Sequence, residues 1–185
     1  MKTSKIYLKR LQRDIDWLSQ VHLFYTFVFG VLIIASRAWN LIPVEAAWQR
    51  WTLVLVMLAW TLSIWRFGRD KSKDPLYYQV LVWLLALLDV VVASFVVYSQ
   101  RGIASRGLAL YVLAIVTIGT LLDRTALLGI AAISATAYAA ASLSYAYIHP
   151  GENYKIELYG ELAFYCSVFF IIASLVWLVV RSKKR

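Results

Sequence analysis

Cysteine is almost absent from this chain of 185 residues: Cys166 is the only one, and it lies inside an apolar run. An intramolecular disulfide and a cysteine-pair metal site are therefore excluded. Histidine is nearly as scarce. His22 and His149 fall at ends of apolar runs that lie on opposite sides of a bilayer, so they cannot share a metal or pass a proton directly. Charge is thin, at 16% of residues against about 25% in an ordinary soluble domain, and acids are the scarcer sign, ten against nineteen lysines and arginines. No phosphate-cradling glycine loop, no HExxH and no carboxylate pair at helical spacing within an apolar run occurs. An enzyme active site is disfavoured, and neither cofactor nor metal is expected.

What fills the chain is hydrocarbon. Apolar residues make up 62% of it, against about 45 to 50% in a soluble domain, more than one soluble core of this size could hide. A bilayer is the expected solvent. A membrane helix needs about 20 mostly apolar residues, and six such runs occur, at 21–38, 47–66, 77–99, 104–122, 125–148 and 158–180. All three prolines, Pro43, Pro75 and Pro150, fall between runs, where they cost no helix hydrogen bond. The fold expected is an all-α bundle of six transmembrane helices. Its segments are a leader at 1–20, a bundle at 21–180 and a basic tail at 181–185.

The basic residues set the orientation. With the N-terminus in the cytoplasm, 14 lysines and arginines lie on the inner side and five on the outer, which places both termini in the cytoplasm. The net charge of +9 forms no continuous stripe, so anionic lipid headgroups are the expected partner and nucleic acid is not. The leader is too charged for a secretory signal and is expected to stay on the mature protein. Within it Leu8, Leu11, Ile15 and Leu18 recur at helical spacing among charged residues, the pattern of a helix lying on the inner surface. Trp17, Trp39, Trp48, Trp51 and Trp65 stand near run ends, where an amphipathic ring anchors at the interface.

One acid sits at the middle of a run. Asp89 would cost roughly 2.5 to 3.5 kcal/mol facing lipid at mid-depth, so it is expected to face the bundle interior, between Ala86 and Ala93 and in line with Gln100. It reads either as a signal or proton site or as a packing hydrogen bond. The fifth run is rich in Ala, Ser and Thr and reads as the central helix, since small side chains let neighbours come close. Along it Ser134, Tyr138, Ser142 and Tyr145 form a polar stripe at helical spacing, which reads either as interhelical hydrogen bonding or as the wall of a pocket for an amphiphile. Glu161 and Tyr165 share a face of the sixth run near its outer end, on the same side as Tyr98, Arg101, Arg106 and Lys155.

From Leu87 to Leu143 the chain resembles the membrane input region of bacterial sensor histidine kinases with several spans, the group that includes fatty-acid quorum sensors and quinone-responsive sensors. The resemblance rests on a mid-membrane acid, Asp89, followed by a short outer turn through Gln100, Arg101, Gly102, Ile103, Ala104 and Ser105. A helix starting near Tyr111, an inner Gly119 and a basic Arg124 complete it. Arg106 stands where that turn usually has proline, and Arg101 where quinone-type sensors have a glycine. The resemblance implies a non-catalytic input domain in the bacterial cytoplasmic membrane. It would bind a lipophilic signal, fatty-acid-like or quinone, and work as a homodimer in two-component signalling. A cytoplasmic kinase or other output module would follow in a longer parent, since no phospho-acceptor segment or ATP-binding glycine box is present. The ligand candidates are Asp89, Tyr98, Arg101, Ser134, Tyr138, Ser142, Tyr145, Glu161 and Tyr165. The alternatives are a small transporter or membrane enzyme using Asp89, and a small accessory subunit of a membrane complex.

Overall fold

Backbone amides and carbonyls in hydrocarbon have no water to bond, so an apolar run there winds into a helix that satisfies them internally. A computed structural model describes residues 2–70, 74–100, 102, 105, 107–150 and 155–182, and among them the chain is helical with no strand. Six helices follow in order: α1 (Lys2–Ala38), α2 (Val44–Gly68), α3 (Pro75–Ser99), α4 (Leu108–Leu121), α5 (Arg124–Ile148) and α6 (Lys155–Ser182). Five are long and apolar enough to cross a membrane, α1 over Leu11–Ala38 and α6 over Leu158–Ser182. The fourth run is shorter as a helix than as a hydropathy segment: α4 has 14 residues, about 21 Å, against a hydrocarbon thickness of about 30 Å. A turn through Gly102, Ser105 and Gly107 uses up its start. Asp123 ends it by capping α5, its carboxylate accepting from the Ala126 amide at 2.8 Å.

The contacts divide the chain into two compact units, Met1–Leu81 and Val82–Arg185, with the boundary inside α3. Apolar-run spacing suggested other boundaries, with a separate leader at 1–20. The structure runs the leader and the first apolar run together as one helix, α1, unbroken near residue 20. In the first unit α1 and α2 form an antiparallel hairpin. The leader's face of Leu11, Ile15 and Leu18 is buried, and Ile15 lies so close to Gly68 of α2 that a methyl there would meet it at 2.8 Å. The face that the sequence pattern would lay on the membrane surface is thus covered by protein. Polar groups lock the same end. The Trp65 indole donates to Asp16 at 2.6 Å, and the Arg69 guanidinium lies over the Trp65 ring at 4.0 Å. Gln12 donates to the Tyr78 hydroxyl at 2.6 Å, and that hydroxyl donates to the Asp70 carbonyl.

In the second unit α4, α5 and α6 pack against one another. Trp83 of α3 lies against Gly129 and Tyr98 against Tyr145, a constant offset that makes α3 and α5 parallel. Ser94 meets Tyr111 and Val96 meets Gly107, which runs α4 antiparallel to α3. Despite its length, α4 therefore carries the chain back along the bundle between two parallel helices. The fifth run was expected to be central, and in the second unit α5 packs on both α4 and α6, although a larger share of the apolar window of α3 is buried, 61% against 44%. Small residues allow close approach on one face, but Ala132, Thr136 and Ala140 of α5 remain exposed, whereas the large residues of α3 are covered on several sides.

Candidate functional site

The polar stripe of the fifth run becomes one buried face of α5. Ser134, Tyr138, Ser142 and Tyr145 recur every four or three residues, so they stack on the side turned toward α4 and α6. Ser134 and Tyr138 are wholly inaccessible and Ser142 nearly so. Around Tyr138 the three helices contribute an aromatic cluster. The rings of Tyr111, Phe169 and Tyr165 stand 6.0, 5.9 and 5.8 Å from that of Tyr138, each edge-on, the geometry in which the positive edge of one ring meets the negative face of the next.

Hydrogen bonding in this cluster is uneven. Ser94 donates to the Val90 carbonyl at 2.7 Å, which uses its one hydrogen, so the Tyr111 hydroxyl is the donor in their 2.8 Å contact. Tyr111 is therefore satisfied. The hydroxyls of Ser134, Tyr138 and Ser142 have no hydrogen-bond partner among the described residues. Ser142 follows Tyr138 by one turn on the same face, which sets its hydroxyl beside the Tyr138 phenol. A buried hydroxyl left without a partner costs about 1 to 3 kcal/mol. Three in a row make α5 a strip of unmet polar demand inside an apolar bundle.

Toward the Gly102 end the stripe continues into rings. Tyr145 stacks on His149 at 4.3 Å and meets Tyr98 edge-on at 6.2 Å. Gly102 has φ of 62°, in the left-handed region, and a Cβ there would stand 3.3 Å from Tyr145, so glycine fits both the backbone and the space. Ser105 stiffens the turn by accepting from the Gly107 amide at 2.9 Å.

Asp89 is buried, with Ala86 and Ala93 wholly covered on either side of it. The register of α3 against α5 sets it level with Ala135, between the depths of Ser134 and Tyr138. Of the residues singled out from the sequence, Tyr138 and Tyr165 are thus brought together, as are Tyr98 and Tyr145. Glu161 is exposed on α6, one turn before the half-buried Tyr165. Arg101 and Arg106 lie outside the described residues, as does the side chain of Lys155. Sequence reasoning passed over Ser94 and Phe169. Phe169 was findable, since it continues Glu161 and Tyr165 at a spacing of four; Ser94 carried no pattern, because its role is to hold Tyr111 on another helix.

The arrangement can accept and donate hydrogen bonds to a polar group flanked by aromatic surface. No cluster of three or more His, Cys, Asp or Glu side chains occurs among the described residues. No protein-family model, curated protein or solved structure matches the chain.

Proposed function

We propose that the chain is a membrane-embedded sensory input domain that binds an amphiphile along α5, its polar group meeting the hydroxyls of Ser134, Tyr138 and Ser142. The observation that carries this reading is that line of buried hydroxyls without partners, since a ligand that supplied hydrogen bonds would relieve a cost built into the fold. The apolar part of a fatty-acid-like molecule or a quinone would lie against Tyr111, Tyr165 and Phe169. A ligand shifts output only by binding one packing of the helices better than another, and a tenfold preference corresponds to about 1.4 kcal/mol, the scale of one hydrogen bond gained. The sixth helix, packed on both α4 and α5, is the element that carries the change onward.

In this reading the chain crosses a bacterial cytoplasmic membrane six times with both termini inside. The basic asymmetry supports the orientation, and the return path of α4 between parallel helices supports the sixth crossing. The module acts as a homodimer coupled to a cytoplasmic kinase or a comparable output. Purified protein is expected to gain thermal stability, saturably, with at least one member of a panel of long-chain acids and quinones. Tyr138→Phe is expected to keep the fold and lose most of the gain. A panel without any saturable shift would move the transporter or accessory-subunit reading ahead.

A further inference from the structure

At the other end of the first unit, the last turn of α1 and the first turns of α2 enclose an open groove of about 460 Å³ lined by Arg37, Val44, Ala47, Trp48, Trp51 and Leu55. We infer that this groove binds a lipid with an anionic headgroup, the acyl chain lying on the tryptophans and aliphatic side chains and the headgroup on Arg37. The inference is independent of the α5 site, which lies in the other unit.

Three observations carry it. The lining of the groove is apolar throughout, Arg37 joining it through its hydrocarbon stem while its exposed guanidinium lies outside the lining, so an acyl chain in the groove would leave the cation for a headgroup in solvent. Its cation is held in place by the helix end. Asn40 adopts φ of 54°, the Leu41 amide donates to the Ser36 carbonyl at 2.8 Å and the Asn40 amide to that of Arg37 at 3.0 Å, a pattern that closes α1 with a left-handed residue. From that fixed position the Asn40 side chain accepts from the Arg37 guanidinium at 3.1 Å. Lastly, that bond uses one of several guanidinium donors and neutralises nothing, and no carboxylate among the described residues pairs with Arg37. A preorganised guanidinium beside interfacial tryptophans suits a phosphate ester, which takes charge-assisted hydrogen bonds.

Native mass spectrometry of the purified full chain, offered phosphatidylglycerol and phosphatidylcholine with matched acyl chains, tests this. The parent chain is expected to retain phosphatidylglycerol roughly tenfold over phosphatidylcholine, the scale of one charge-assisted hydrogen bond. Arg37→Gln is expected to bring the ratio near one with an unchanged unfolding temperature, because this side chain is exposed. Asn40→Gly, which keeps the left-handed backbone and removes the amide, is expected to lower the ratio part way. Arg50→Gln, on the same hairpin but outside the groove, is expected to leave it intact. No preference in the parent chain, or equal loss in the Arg50 and Arg37 variants, overturns the assignment. Glycerol phosphate, which has the anion without the chain, is expected not to displace the lipid; displacement at equal concentration would make this a free-anion site and overturn the lipid assignment.

Discussion

Tyr111 and Tyr138 are both wholly buried tyrosines in one aromatic cluster, and they should respond oppositely to loss of their hydroxyls. The Tyr111 hydroxyl bonds Ser94, so Tyr111→Phe is expected to cost about 1 kcal/mol. The Tyr138 hydroxyl meets no partner among the described residues, so Tyr138→Phe removes an unmet demand and is expected to be neutral or to stabilise the ligand-free protein. Denaturant titration of the two variants in detergent checks this, and a destabilised Tyr138→Phe would show that the hydroxyl is satisfied. Asp89 poses a similar contrast: Asn retains most of its hydrogen bonding while Leu retains none, so Asp89→Leu is expected to lose stability by a few kcal/mol and Asp89→Asn to lose much less. Gly102→Ala is expected to cost about 1 to 2 kcal/mol, because alanine disfavours the left-handed backbone and its methyl would crowd Tyr145.

At the scale of elements, helices approach closely where a side chain is missing. A methyl on Gly119 of α4 would stand 2.5 Å from Val176 of α6 and 3.0 Å from Leu127 of α5. Gly119→Ala is therefore expected to destabilise by about 1 to 3 kcal/mol, and Val176→Ala in the same chain to recover part of that, a coupling that a double-mutant cycle measures. The leader of α1 offers a second test. Asp16 accepts from the Trp65 indole at 2.6 Å and also lies 3.6 Å from Arg69, a pair whose side chains are 40% and 58% exposed. Solvent screens that ion pair, so Arg69→Ala is expected to cost no more than about 1 kcal/mol and Asp16→Ala, which also strands the indole, to cost more. Thermal unfolding followed by tryptophan fluorescence reports on both.

For the whole molecule the decisive question is which ends of the helices share a side. In a background with Cys166→Ala, cysteines at Leu41 and Ser99 are expected to react with an impermeant thiol reagent from one side, and cysteines at Asp70, Thr125 and Ser182 from the other. Reaction of the Thr125 and Ser99 positions from one side would mean that α4 does not cross. The all-helical architecture was legible from composition and run length alone, because a long apolar segment has few other ways to satisfy its backbone; of the six spans expected, five are helices long enough to cross a membrane and the fourth is shorter. The buried face of α5 was legible from periodicity, since residues spaced by three or four share a side of a helix. Only the tertiary structure decided that the leader continues α1 and packs on α2, that α3 outranks α5 in burial, and that α4 is a short return between parallel helices. It also decided which hydroxyls find partners. Tyr111 and Tyr138 look alike in the sequence; Ser94 stands opposite only the first, and such a partner is set by which helices become neighbours, which no local pattern encodes.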